Sequence, residues 1–258
     1  MSRWHRYANA YRTILTKEVL RFARIWIQTV LPPMVTTALY FLIFGQLIGD
    51  RLGEMEGHPY IDFILPGLIL MAVISNSYAN VVSSFFNAKF QRHIEELLIS
   101  PVPNWVILAG YVSGGVVRGT AVGTAVTLVS MAFTDVQVHS LAVTAAVFLL
   151  TSMLFATAGF INAVFANSFD DISIVPTFVL TPLTYLGGVF YSISLLPPFW
   201  QTVSLANPVL YMINAFRYGL LGVADIGLPF ALGLILSFIV VLCAAALWLL
   251  HRGVGIKT

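Results

Sequence analysis

The chain has 258 residues, of which 59% are hydrophobic and only 9% charged, with a mean hydropathy of +0.89 and a formal net charge of +2. A soluble domain carries roughly 25% charged residues, so this composition excludes a water-soluble globule and leaves an integral membrane protein. A spanning helix needs about 20 apolar residues, so the length admits about six spans and no sizeable soluble domain.

Residues 1–24 hold Arg3, Arg6, Arg12, Lys17, Arg21 and Arg24 against a single acid, Glu18. On a helical wheel Trp4, Tyr7, Tyr11, Leu15 and Phe22 gather on one side, while Arg3, Arg6, Thr13, Lys17, Arg21 and Arg24 follow the other. A basic amphipathic helix with aromatics on its apolar face lies in the headgroup plane, so 1–24 is read as an interfacial helix and 25–258 as a transmembrane domain. Its length and the long apolar run after it do not fit a cleavable signal peptide.

Hydropathy places spans at about 26–48, 61–86, 105–133, 141–165, 173–191 and 228–250. Pro32 and Pro33 near the start of the first suit an entry kink. Basic residues in short loops set orientation. The six of the tail, Lys89, Arg92, Arg252 and Lys257 share one side, against Arg51 and Arg217 on the other. This asymmetry predicts that both termini face the cytoplasm. The loop "GDRLGEMEGHPYID" then lies outside, where its glycines and carboxylates read as a solvated turn rather than a metal site. The single cysteine, Cys243, sits in the last apolar run and reads as filler of a helix face.

Between the fifth and sixth spans runs "LGGVFYSISLLPPFWQTVSLANPVLYMINAFRYGLLGVAD", apolar but broken by Gly187-Gly188, Pro197-Pro198 and Asn207-Pro208. Irregular backbone at membrane depth is tolerated only where protein or a wet cavity covers it, so a re-entrant pair of short helices on the outer side is expected.

Enzyme signals are weak. No G-x-x-x-x-G-K-[ST] or H-E-x-x-H occurs, and the five histidines show no helical pairing. Asp170-Asp171 falls in a turn before the fifth span, where Asp171 suits a first helical turn better than a catalytic dyad. Nothing points to a nucleic acid, a metal or a cofactor on this chain.

Within the bilayer the clear ionisable group is Arg118, in "GYVSGGVVRGTAVGT". An arginine at mid-bilayer costs roughly 2.5–3.5 kcal/mol on insertion scales and faces the bundle interior or water. Gly110, Gly114, Gly115, Gly119 and Gly123 around it form a small-residue stripe that admits a second helix at close range. Arg118 therefore meets a partner helix's carbonyls, a lipid phosphate or an anionic substrate group. Asn76, Asn80 and Asn162 are further buried polar groups that serve interhelical hydrogen bonds or substrate contact. No Asp or Glu lies centrally in any span, which disfavours ion-coupled transport.

The stretch "NAKFQRHIEELLISPVPNW" concentrates charge between two long apolar runs. Taken as one helix from Phe86, it puts Phe86, Phe90, Ile94, Leu97 and Leu98 on one face, and Lys89, Arg92 and Glu96 on another, with Arg92 and Glu96 at i,i+4. Pro101 and Pro103 end it. A connector between adjacent spans needs only a few residues, so this segment reads as a surface helix presenting charge to a soluble partner.

A basic interfacial helix, six spans, a charged cytoplasmic helix after the second span and a broken segment before the sixth resemble the ABC-2 type permease family, near its nodulation-export and drug-resistance members. "FQRHIEELLISPVP", "PTFVLTPLTYLGGVFYSISLLPPFW" and "NPVLYMINAFRYGLLG" carry the resemblance, which covers essentially the full length. It implies an all-α membrane subunit without its own ATPase, paired as a homodimer among membrane lipids and served by a separate ABC ATPase that binds ATP and Mg. It further implies a coupling surface of Lys89, Phe90, Gln91, Arg92, Glu95, Glu96, Leu97 and Leu98, with Asp170, Asp171, Arg21 and Arg24 beside it. Gly187, Gly188, Pro197, Asn207, Pro208, Tyr211 and Arg217 would shape the outer gate. The substrate implied is a lipid-like or drug-like amphiphile, export being inherited from the family. An ATP-independent channel or scaffold, and a lipid-modifying enzyme centred on Asp170, Asp171 or Arg118, are the other readings.

Overall fold

The computed structural model describes residues 3–255. Met1, Ser2 and residues 256–258, including Lys257 of the charge asymmetry, lie outside the described residues, as does the side chain of Leu98. Among the described residues five helices are long and apolar enough to cross a membrane: Trp26–Ile48, Tyr60–Phe90, Asn104–Ser130, Leu141–Phe165 and Leu228–Arg252. Each matches a span expected from hydropathy.

In chain order, α1 (Arg3–Arg24) precedes α2 (Trp26–Tyr40), which widens into a π-wound segment, Phe41–Ile48, and a last turn, α3 (Gly49–Leu52). A two-residue hairpin, β1 (Glu54–Met55) with β2 (His58–Pro59), leads into α4 (Tyr60–Phe90). Then follow α5 (His93–Ile99), α6 (Asn104–Ser130) and α7 (Leu141–Phe165). The chain continues through α8 (Asp171–Val175), a π-wound Pro176–Leu180, α9 (Thr181–Tyr185), α10 (Pro198–Leu205), α11 (Pro208–Leu221) and α12 (Leu228–Arg252).

The expected fifth span, 173–191, is the element that departs from a plain helix. It is three short pieces between Asp171 and Tyr185, because Pro176 and Pro182 each withhold a backbone donor and the ladder shifts to wider π turns. At 1.5 Å per residue it rises about 22 Å, short of a hydrocarbon core of about 30 Å.

Helix α4 is the centre of the bundle. Its apolar residues are buried on nearly every side, and α6, α7 and α11 pack around it. The glycine stripe of α6 explains how close they come. A Cβ on Gly115 would lie 2.6 Å from Val81 of α4 and 2.8 Å from Ala156 of α7. Gly119 and Gly123 face Ser77 and Val73 in the same way. The partner admitted by Gly110 and Gly114 is α1 itself: added Cβ atoms there would lie 2.6 Å from Ile14 and 2.5 Å from Glu18.

That contact corrects the expected faces of α1. Its buried residues are Ile14, Glu18 and Phe22, with Tyr11 donating to Ser113 Oγ at 2.9 Å and Tyr7 edge-on to Trp105. Trp4, expected on the apolar side, is 75% exposed. Arg21, expected on the free basic side, turns into the bundle. Side-chain pairing draws Glu18 and Arg21 inward, although a hydropathy wheel counts both as polar.

Short packing contacts hold the opposite end together. Tyr60 donates to the Phe190 carbonyl at 2.9 Å, and Gly67 brings α4 so near Val189 that a Cβ would lie 2.7 Å from its Cα. The His139 and Ser140 amides donate to the Leu220 and Gly219 carbonyls, closing the last turn of α11.

Candidate functional site

At one end of the bundle, α4 stops at Phe90 and the chain turns through Gln91 and Arg92 before α5 begins. The continuous helix expected from Phe86 is therefore broken. Arg92 adopts a left-handed backbone, φ 60°, which L residues rarely adopt, and this swings α5 out of the line of α4. The break separates residues that a single helical face had grouped. Phe86 and Ile94 are buried and Leu97 is half-buried, but Phe90 is 62% exposed. Gln91, Arg92, Glu95 and Glu96 are exposed; no ion pair forms between Arg92 and Glu96.

Clefts flank α5 on both sides. One of 580 Å³ separates it from α1, lined by Thr13, Lys17, His93, Glu96 and Leu97 among others. The other, 210 Å³, opens between Phe90, Arg92 and Glu95 on one wall and Ala166, Asn167 and Gly255 on the other. Lys89 lies at its base. Its Nζ donates to the Val164 and Ala166 carbonyls, both at 2.7 Å, so the cation caps the C-terminus of α7. Phe169 packs edge-on against Phe86 and Phe90 and ties the 166–171 turn to the end of α4.

That turn is a reciprocal cap. Asp171 Oδ2 accepts from the Asn167 amide at 2.8 Å and the Ser168 amide at 3.1 Å, while Ser168 Oγ accepts from the Asp171 amide at 3.2 Å. The Asn167 amide, then the Ser168 hydroxyl, hold the Asp171 carboxyl below the usual carboxylate range. Asp171 thus builds the turn, and Asp170 stands exposed beside it. The two aspartates are not arranged as a catalytic dyad.

Deeper in the bundle, a polar group joins α1, α4 and α6. Glu18 is fully buried and accepts from Ser84, from Asn80 Nδ2 at 3.4 Å and from Arg21 at 3.2 Å. Arg21 also donates to Asn80 Oδ1 and to the Asn80 carbonyl, both at 2.8 Å. One turn of α4 further in, Asn76 Nδ2 donates to the Ala72 carbonyl and its Oδ1 accepts from Arg118 at 3.1 Å. The structure therefore brings together Arg21, Asn80, Asn76 and Arg118, of which Arg21 was expected at the cytoplasmic surface. Arg24 stays exposed, beside Lys17 and Arg21 in a cleft of 480 Å³. Asn162, on α7, joins none of them; it lies instead beside the buried Tyr78 hydroxyl of α4. Sequence reasoning missed Glu18, although its spacing from Ile14 equals that from Gly110 to Gly114.

The opposite end holds the residues assigned to the outer gate. Gly188 takes φ 77°, and its carbonyl accepts from Arg217 at 2.7 Å. Arg217 is fully buried rather than in a water-facing loop; its guanidinium lies 3.8 Å over the Phe63 ring and 3.9 Å from Asp225. The Glu56 carboxyl of the hairpin is pushed up, by burial first and by Asp225 second. Asn207 caps α11 by accepting from the Val209 amide at 2.9 Å, with Pro208 in the first turn, and donates to the Leu183 carbonyl at 2.6 Å. Tyr211 donates to the Leu205 carbonyl at 2.6 Å, and Gly187 packs on Val209. Pro197 starts α10. Most of these residues are thus engaged in packing or backbone hydrogen bonds within this end of the bundle.

Residues 9–221 match the ABC-2 type transporter family, and the chain belongs to it. It is 57% identical to "Inner membrane transport permease YadH" of Escherichia coli (strain K12) over 254 residues, covering 98% of this chain and 99% of that protein. More distant relatives are "Nodulation protein J" of Sinorhizobium fredii, 27% identical over 72% of this chain and 70% of the relative, and of Rhizobium meliloti, 23% identical over 80% and 79%.

Proposed function

We propose that this chain is the permease subunit of an ATP-driven exporter of the bacterial inner membrane. Two copies form the translocating pair, and a separate ABC ATPase, holding ATP and Mg, docks on each. Both termini face the cytoplasm, the broken helix from Asp171 to Tyr185 is carried the rest of the way across by residues 186–191 to make a sixth span, and α10 with α11 re-enters from the outer side. The cargo is an amphiphile, lipid-like or drug-like.

One observation carries this reading: α5, with Glu95 and Glu96 exposed, stands between α1 and the capped 166–171 turn at the end of the central helix. A nucleotide shifts a conformational equilibrium only through its differential affinity for the two states. A docked ATPase therefore needs a stiff lever, and α5 is braced on α4, the most enclosed helix of the bundle. Arg21, Lys89 and Asp171 stiffen its surroundings, leaving Glu95, Glu96, Arg92 and Asp170 as the groups that meet the partner.

The test is purification of the tagged chain in mild detergent from its native membrane, followed by assay of ATP hydrolysis. A stoichiometric P-loop protein with ATPase activity is the expected result. A stable, partner-free chain that conducts ions on its own would replace this reading with a channel.

A further inference from the structure

Arg118 is half-buried in the middle of α6, and among the described residues its one hydrogen bond goes to the neutral amide of Asn76. Its Nε is buried without a partner. The described residues form two ion pairs, Arg21 with Glu18 and Arg217 with Asp225, and neither involves Arg118. A guanidinium placed in a membrane without a carboxylate is costly, yet this one is held in place rather than freed to reach the interface. Asn76 is committed on both sides: its nitrogen donates to the Ala72 carbonyl and its oxygen takes Arg118.

Asn76 also forms one wall of a 260 Å³ cleft between α2 and α4, with Thr36, Thr37, Met71, Ala72 and Ser75 around it. The cleft belongs to a longer feature. Although α4 is the most enclosed helix, Met71, Ser75, Ala79, Ser83 and Asn87 are left open at four-residue spacing, which makes a single stripe along its length. That stripe is small and largely polar, unlike a lipid-facing surface. It begins near Arg21, whose guanidinium reaches Ser83 and Asn80, and passes Arg118 one turn deeper. The local balance is two guanidiniums against one carboxylate, Glu18, which is already saturated by Ser84, Asn80 and Arg21.

Resting on the permease reading, we infer that the amphiphile carried by this protein bears an anionic head group, and that Arg118, presented by Asn76 at the α2–α4 cleft, receives that group at mid-membrane. A phosphate or carboxylate there supplies the missing counter-charge and the acceptor for the unpaired guanidinium. Its apolar chain lies along the open face of α2.

The test is direct binding to the purified permease in phosphatidylcholine nanodiscs, without nucleotide, comparing dodecyl phosphate with dodecyltrimethylammonium. Dodecyl phosphate is expected to bind saturably and the cation not to bind. Loss of one charge-assisted contact predicts that Arg118→Gln weakens dodecyl phosphate by about tenfold, while Arg118→Lys keeps the preference for the anion. Asn76→Ala, which leaves the charge but removes its support, should weaken binding less, and it stands in if Arg118→Gln proves unstable. Equal binding of the two amphiphiles, or wild-type affinity in Arg118→Gln, would overturn the inference. Displacement by inorganic phosphate at the same concentration would do so too, because the site would then take a free anion rather than an amphiphile. Since no ATPase takes part, failure here leaves the exporter reading standing, and loss of the ATPase partner leaves this binding unchanged.

Discussion

Glu18 is the residue on which the placement of α1 turns. Removing one member of a buried ion pair typically costs about 3–5 kcal/mol, because its partner stays desolvated and unpaired. Glu18→Ala strands Arg21, Asn80 and Ser84, whereas Glu18→Gln keeps an acceptor. In detergent, Glu18→Ala should unfold at a clearly lower temperature than Glu18→Gln, and equal midpoints would show that the pair contributes little. Asp171 makes a pH-dependent contribution. Its folded pKa lies below the ordinary carboxylate value of about 4. The stability it provides is fully present above that value and is lost as pH falls through the folded pKa. Amide exchange in the 166–175 segment, corrected for intrinsic rates, should therefore lose protection below about pH 4. In Asp171→Asn that protection should be weak throughout. Of this chemistry the sequence showed the charges but not their pairing: Arg118 and Asn76 were legible as costly membrane groups, while Glu18 looked like one acid among many bases. Burial of an ion pair depends on what three separate helices bring to it, which no local pattern records.

At the scale of elements, the hydropathy runs that became α2, α4, α6, α7 and α12 were read closely, because about 20 apolar residues in sequence have one solution in a bilayer. The two short helices α10 and α11 also followed from Pro197, Asn207 and Pro208, whose backbone demands are local. Two elements were not legible. The single helix expected from Phe86 onward breaks at Gln91 and Arg92, where no glycine or proline marks the turn. The segment from Asp171 to Tyr185 looks apolar enough to span but shifts to π winding at its prolines. Docking of α1 on α6 is specified by absence, through glycines that leave room. Gly114→Leu should therefore expel α1, since even a Cβ meets Glu18 at 2.5 Å. Limited proteolysis of solubilised protein should then cut within 3–24 in the variant and spare the wild type, and equal resistance would mean that α1 finds another seat.

For the whole molecule, charge divides between the two ends of the bundle. One end gathers α1, α5, the 166–171 turn and the end of α12, where the basic residues concentrate. The other end closes on the hairpin, the 186–197 turn and the buried Arg217. In the permease reading proposed above, the first end goes to the ATPase and the second to release of the cargo, with α4 running between them. The central claim is that the ATPase docks on α5 and the turn beside it. The most direct measurement is site-specific photo-crosslinking in native membranes, with the crosslinking residue placed in turn at Glu95, Asp170 and, as controls at the far end, Leu141 and Leu195. The account predicts one P-loop ATPase joined to the chain from positions 95 and 170, absent from 141 and 195, and lost from both when Glu96 is changed to Lys. Crosslinks to that ATPase from the far end, or none from positions 95 and 170 in a complex that still hydrolyses ATP, would contradict it.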